Sequence, residues 1–289
     1  AASRPTSLCL RGVLPPRRRS RRAAEPSSTE ALNHPGTALE QKWPDVLWIV
    51  RHGQSAGNVA RDHAEAAGLP LIDIAERDVD VPLSDLGRQQ AQALGDWFGA
   101  LPPEERPNVV LCSPYVRTRQ TAQLVLEAAG IECEDVNWVV DERLREKEFG
   151  LLDRLTRHGI RLKYPELSEQ RRHVGKFYFR PPGGESWCDV ILRLRSLLET
   201  VVREYRRERV LIVAHQVVVN CLRYLLERMD EAQILETDRQ ADVPNCGLTS
   251  YAFDPALGKN GRLVLRQLNF VSPLRQAGAP VTAEPDVPA

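Results

Sequence analysis

Residues Val46–Asn58 read VLWIVRHGQSAGN. Val46–Val50 run without a polar break, the pattern of a short strand buried on both faces. The run stops at Arg51 and His52, and Gly53 follows with small polar residues and Asn58. A strand reaching solvent is one explanation for that ending. A nucleophile beside an anion site is another, and the rest of the chain has to decide.

The chain has 289 residues, 39 basic and 39 acidic side chains and 42% hydrophobic content, which allows one large domain or two small ones. No apolar run approaches bilayer length, so no integral membrane protein is expected. The six cysteines, Cys9, Cys112, Cys133, Cys188, Cys221 and Cys246, include no CxxC pair. Several lie in apolar segments and read as reduced core thiols, which favours the cytoplasm over a disulfide-forming compartment.

Residues 1–42 are rich in Arg, Pro, Ser and Ala, carry RRRSRR at 17–22 and have no acid before Glu25. Such a stretch buries too little apolar surface to fold and is expected to be a disordered tail. It reads as an extension without a role, as an organelle transit peptide or as a basic arm for nucleic acid. Residues 277–289, AGAPVTAEPDVPA, also read as a flexible tail.

Between the tails, over 43–276, strand-like and helix-like patterns alternate. Strands are expected at Val46–Val50, Asn108–Cys112, Val136–Val140, Arg209–Ala214, Thr249–Phe253 and Leu263–Leu268. Helices are expected from Ser84 to about Ala100, Arg117 to about Ala129, Ser186 to about Arg207, and from Ala214 to about Met229. This rhythm predicts an α/β sandwich with a mostly parallel central sheet. Two long connections, about 59–82 and 151–182, read as inserted caps.

Ligands of open α/β sheets bind outside the carboxyl ends of the strands. There the first strand delivers Arg51 and His52, and the second delivers Ser113 through Arg117. The third leads into Asp141–Glu146, and the fourth ends at Ala214 and His215. Guanidinium forks at Arg51 and Arg117 suit a phosphate, and a helix starting near Arg117 adds backbone N–H groups. His215 and the Asn58 amide could each add a hydrogen bond, although Asn58 after Gly57 also reads as turn chemistry. A neutral His52 aimed at phosphorus would be a nucleophile, and a nearby carboxylic acid such as Glu146 could protonate the leaving oxygen.

These residues carry a resemblance. Arg51-His52-Gly53, Asn58, Ser113-Pro114-x-x-Arg117 with Gln120-Thr121-Ala122, Leu144-x-Glu146 with Phe149-Gly150, Gly184-Glu185-Ser186 and Ala214-His215 stand in the order of the histidine phosphatase superfamily, the phosphoglycerate mutase-like enzymes. The resemblance spans about 45–270 and implies a three-layer α/β/α sandwich without a metal or other cofactor. It also implies a phosphohistidine on His52, with Arg51, Asn58, Arg117 and His215 lining the phosphate pocket. Glu146 would be the proton donor, with Glu142 and Glu148 as neighbouring alternatives.

Gln216 follows His215 where many members have glycine; here the chain resembles fructose-2,6-bisphosphatase domains, and the glutamine is read as narrowing the pocket. The longer insertion and tail of phosphoglycerate mutases are not found, which favours hydrolysis over mutase chemistry. The cations of 151–180, with Phe177-Tyr178-Phe179, read either as a cationic, aromatic lid or as a solvated face. Gly183-Gly184 reads as a close approach to ligand or as a turn. The expected partner is a small phosphorylated metabolite, with no metal and no membrane. Nucleic acid is disfavoured, and a homodimer stays open.

Overall fold

The computed structural model describes residues 41–283. The Arg-rich segment lies outside the described residues except for Gln41 and Lys42, as do the last six residues of the expected C-terminal tail. The strands are β1 Val46–Arg51, β2 Val109–Cys112, β3 Asn137–Val140, β4 Arg209–Ala214, β5 Leu248–Asp254 and β6 Arg262–Phe270. The helices are α1 Ala56–Ala66, α2 Asp85–Gly99, α3 Val116–Ala128, α4 Arg157–Lys163, α5 Pro165–Val174, α6 Trp187–Glu204, α7 Gln216–Glu227, α8 Glu231–Gln240 and α9 Ser272–Gln276. All six expected strands are present. The helix after β4 ends two residues earlier than expected, where Arg228 turns left-handed at φ 56°.

The sheet order is β3-β2-β4-β1-β5-β6. β1, β2, β3 and β4 are mutually parallel, while β5 runs antiparallel to β1 and β6 antiparallel to β5. Alternation along β1 explains the layers. Leu47 and Ile49 enter one core with residues of α6 and α7; Trp48 and Val50 enter the other with residues of α2 and α3. Full burial of each such side chain contributes about 1.5–3 kcal/mol, so β1 is fixed from both faces. The result is a three-layer α/β/α sandwich.

Caps read from the sequence hold. Ser84 accepts from the Gly87 N–H at the start of α2, and Ser186 with Asp189 forms a capping box on α6. The two insertions are tied together, since the Thr156 hydroxyl donates to the Leu69 carbonyl at 2.6 Å and Arg154 Nη1 to the Ile74 carbonyl at 3.0 Å. The second insertion has a small core of its own, Leu152, Leu155, Ile160 and Phe179.

The C-terminal segment departs from the flexible tail expected for it. Ala279 is buried in the core beneath α2. Gln90 donates to the Pro280 carbonyl at 2.9 Å, and the Thr282 hydroxyl donates to Asn245 Oδ1 at 2.8 Å. Its Pro/Ala-rich composition hid two specific partners contributed by distant parts of the chain.

Candidate active site

β1 and β4 are parallel neighbours in a register that pairs Arg51 with Ala214, and the His52 N–H continues it to the Ala214 carbonyl at 2.9 Å. Adjacent strands lie about 4.8 Å apart, so the residues one step past each strand must meet. His52 and His215 accordingly stand with ring centroids 5.2 Å apart. β2 is the next strand over and brings Ser113 to the His215 Nε2, Oγ to nitrogen 2.8 Å.

His52 is held in one tautomer. Its Nδ1 lies 2.7 Å from the Gly53 carbonyl, which can only accept, so Nδ1 carries the proton and Nε2 the lone pair. Arg117 Nε points at that Nε2 from 3.3 Å. Burial first, then the charges of Arg117 and Arg51, holds the His52 imidazole well below its ordinary pKa. His215 is fully buried and also held well below, by burial and then Arg117. The His215 Nδ1 has no hydrogen-bond partner and lies 3.9 Å from a Glu146 carboxylate oxygen.

Backbone packing fixes the loop that carries His52. A Cβ on Gly53 would stand 2.4 Å from the Gly87 carbonyl oxygen, so only glycine lets this turn lie against α2. The Gly53 N–H donates to Thr121 Oγ1 at 3.0 Å and the Gln54 N–H to Gln90 Oε1 at 2.9 Å. From the opposite side Asn245 Nδ2 donates to the His52 carbonyl at 3.0 Å, and the Cys246 N–H reaches the Arg51 carbonyl at 3.0 Å.

The cleft encloses about 760 Å³, mouth included. Arg51, His52, Asn58, Arg117 and Gln216 line it and are buried. Asn58 caps α1, its amide oxygen accepting from the Ser55 N–H and hydroxyl, and the residue also lines the cleft. That bonding leaves the NH2 end for a ligand. Gln216 donates to Asp242 at 3.0 Å and lines the wall. Arg117 is held by Asp78 of the first insertion, through Nη1 to the Asp78 carbonyl at 2.6 Å, and its guanidinium lies over the Tyr115 ring at 4.7 Å.

Among the three acids considered, Glu146 lines the cleft, whereas Glu142 and Glu148 are exposed and do not. Its loop is braced by Glu185, which accepts from Arg145 at 2.7 Å, Arg193 at 3.0 Å and the Glu148 N–H at 3.1 Å. Burial pushes Glu185 up, but the hydrogen bonds and charge of Arg193 with Arg145 outweigh it and hold the carboxyl low. Gly183-Gly184 belongs to this brace and does not line the cleft, since a Cβ on Gly184 would meet the Glu148 carbonyl at 2.6 Å.

A lid built from the second insertion's cations is not what forms. Of the cations between 151 and 180 only Arg154 lines the cleft. Arg172 pairs with Glu169, Lys176 with Asp238 and Arg180 with Asp189, while Phe177 and Phe179 are core residues. The walls come mainly from the first insertion: Ile72, Ile74, Glu76, Asp78 and Val81. Sequence reasoning missed Asp78, Gln90, Asn245 and Glu185 as positioning groups. The one sequence signal pointing to any of them was the Gly-Glu-Ser triplet containing Glu185.

Among the described residues no helix is long and apolar enough to cross a membrane, and no group of three or more His, Cys, Asp or Glu is arranged to hold a metal. Cys112, Cys221 and Cys246 are buried, and burial pushes the Cys112 thiol up to about 12.

Histidines at the ends of neighbouring parallel strands, with two buried arginines around one of them, define a phosphate-handling α/β enzyme class. Residues 47–264 match the histidine phosphatase superfamily, branch 1, and the chain belongs to that family. It is 31% identical over 226 residues to a 6-phosphofructo-2-kinase/fructose-2,6-bisphosphatase of Caenorhabditis elegans, covering 75% of this chain but 43% of that bifunctional protein. It is 31% identical over 203 residues to a 2,3-bisphosphoglycerate-dependent phosphoglycerate mutase of Gloeobacter violaceus, covering 69% of this chain and 83% of the relative. Among solved structures, a mycobacterial glucosyl-3-phosphoglycerate phosphatase with inorganic phosphate superposes at TM-score 0.58 and 25% identity, covering 79% of this chain and 99% of that one.

Proposed function

We propose that this protein is a metal-independent phosphatase that hydrolyses a small phosphomonoester through a phosphohistidine on His52. The observation that carries the reading is the 2.7 Å contact from His52 Nδ1 to the Gly53 carbonyl. It leaves the lone pair on Nε2, the ring nitrogen beside Arg117.

Arg51, Arg117 and the Asn58 NH2 hold the phosphoryl oxygens, the phosphate dianion displacing the Asp78 carboxylate from Arg117. Ser113 donates its hydroxyl proton to His215 Nε2, so His215 Nδ1–H is free to satisfy a phosphoryl oxygen. His52 Nε2 forms the bond to phosphorus as the ester P–O bond breaks, and Glu146 gives its proton to the departing oxygen. Water then attacks the phosphohistidine. Glu146, now a carboxylate, takes the water proton, so phosphate leaves and His52 returns to neutral.

Phosphatases and mutases both occur among the relatives. Purified protein in chelator should release phosphate from at least one phosphomonoester, p-nitrophenyl phosphate included. His52→Ala should abolish release while its circular dichroism stays unchanged. Full turnover by His52→Ala would overturn the nucleophile assignment, and transfer of phosphate within one substrate instead of release to water would favour the mutase.

A further inference from the structure

A second cleft lies at the other end of the parallel strands and encloses about 1040 Å³, mouth included. α7 begins at Gln216, which lines the catalytic cleft, and ends with Leu225 and Leu226, which line this one. At 1.5 Å per residue its twelve residues set the two about 18 Å apart. Lys42, Arg228, Lys259 and Arg262 reach the second cleft from three separate stretches of chain, and all four are exposed. Trp43, Leu225, Leu226 and Leu263 give it an apolar floor continuous with the core under α6 and α7. No acid lines it among the described residues. The acids nearby in sequence are engaged otherwise. Glu227 accepts from Arg223 at 2.9 Å and from the Tyr251 hydroxyl at 2.7 Å, Asp254 from the Ala256 N–H at 2.9 Å, and Asp45 from Gln41 at 2.7 Å. Even with the charges of Asp45 and Asp254 set against them, the four cations are in excess.

We propose that this second cleft binds an amphiphilic anion, its charged head among Lys42, Arg228, Lys259 and Arg262 and its aliphatic chain along the leucine floor. The proposal stands apart from the phosphatase reading, since none of these residues lines the catalytic cleft. Four like charges around one opening repel one another, and an anionic head turns that repulsion into attraction. The floor decides the body of the ligand. Asn260 is the one uncharged polar side chain in the described lining. A peptide backbone or a nucleotide base laid there would leave its own N–H and C=O groups short of partners. A hydrocarbon chain has no such groups. It also takes the partly buried Trp43, Leu225 and Leu226 out of water, which favours binding in proportion to the apolar area covered.

The test titrates the full chain by calorimetry with monomeric dodecanoate, octanoate and octan-1-ol. Dodecanoate should bind saturably and at least about tenfold more tightly than octanoate, because each buried methylene contributes up to about fourfold. Octanoate should bind roughly tenfold more tightly than octan-1-ol, the scale of one charge contact near a protein surface. Reversing two exposed charges together, Lys259→Glu with Arg262→Glu, should weaken dodecanoate by about tenfold or more and leave the circular dichroism unchanged. Leu226→Ala should narrow the difference between dodecanoate and octanoate. Absence of saturable dodecanoate binding overturns the proposal. So does equal affinity for the two chain lengths, or an affinity that the double charge reversal leaves unmoved. Binding to phosphatidylserine vesicles without binding of monomeric dodecanoate would assign the face to a lipid surface and likewise overturn it.

Discussion

Asp78 closes on Arg117 from the first insertion: its backbone carbonyl takes Nη1 at 2.6 Å and its carboxylate lies 3.0 Å from the same nitrogen. With Nε directed at His52 and Nη2 3.2 Å from the Asp78 carboxylate, all three guanidinium nitrogens have contacts before any phosphate arrives. An incoming phosphoryl group therefore competes with a carboxylate for the same arginine. Asp78→Asn keeps the backbone contact and removes the charge, so inorganic phosphate should bind about three- to tenfold more tightly. Calorimetric titration reads this directly, and weaker phosphate binding would show that Asp78 serves only to position Arg117.

Two buried neutral histidines impose a pH signature on stability. Their folded pKa values are depressed, so the unfolded chain binds protons that the folded chain refuses. The stability they contribute is complete above the unfolded value of about 6.5 and is lost as pH falls below it. The slope approaches about 1.4 kcal/mol per pH unit for each histidine. Denaturant midpoints measured between pH 7.5 and 5 should fall on the acid side. His52→Gln should flatten that fall, and an unchanged slope would mean His52 is charged in the folded protein.

The brace behind Glu146 separates chemistry from binding. Glu185 anchors the 145–148 loop through Arg145, Arg193 and the Glu148 N–H. Glu185→Ala should lower kcat about ten- to a hundredfold, less than the roughly 10²–10⁴-fold that losing the acid itself costs, while phosphate affinity stays near that of the parent. Stopped-flow phosphate release checks the first statement and titration the second. An equal loss of affinity would place Glu185 in support of the whole pocket.

The C-terminal segment should matter to the His52 loop. Asn245 donates to the His52 carbonyl, and its own oxygen accepts from Thr282. Asn245→Ala leaves the buried His52 carbonyl with only the longer Cys246 N–H contact of 3.4 Å and should cost about 1–3 kcal/mol of stability. Thr282→Val removes the hydroxyl with less damage and should cost less. Equilibrium unfolding of both variants tests this order.

Arg51, His52, Arg117 and His215 were legible because apolar runs announce strands, and strand ends announce where polar groups converge. Register did the rest, since β1 beside β4 makes His52 and His215 neighbours whatever the intervening chain does. Asp78, Gln90 and Asn245 were not legible. Each acts through contacts with residues between 36 and 193 positions away in sequence, and no local pattern encodes such pairings. Composition misled at one place and left two readings open at another. The Pro/Ala-rich segment after Ala277 docks through Ala279 and Thr282. Between the lid and the solvated face offered for the cations of 151–180, the ion pairs of Arg172, Lys176 and Arg180 favour the latter.

The most direct measurement is capture of the phosphoenzyme. Protein mixed with a turned-over phosphomonoester and quenched in alkali within milliseconds should carry one phosphate per chain, stable to base and labile to acid, mapped by mass spectrometry to His52. Glu146→Gln should raise the trapped amount when the leaving group needs no proton, as with p-nitrophenyl phosphate. Steady turnover with no phosphate on His52 at any quench time, or the same turnover in His52→Ala, would contradict nucleophilic catalysis at this histidine.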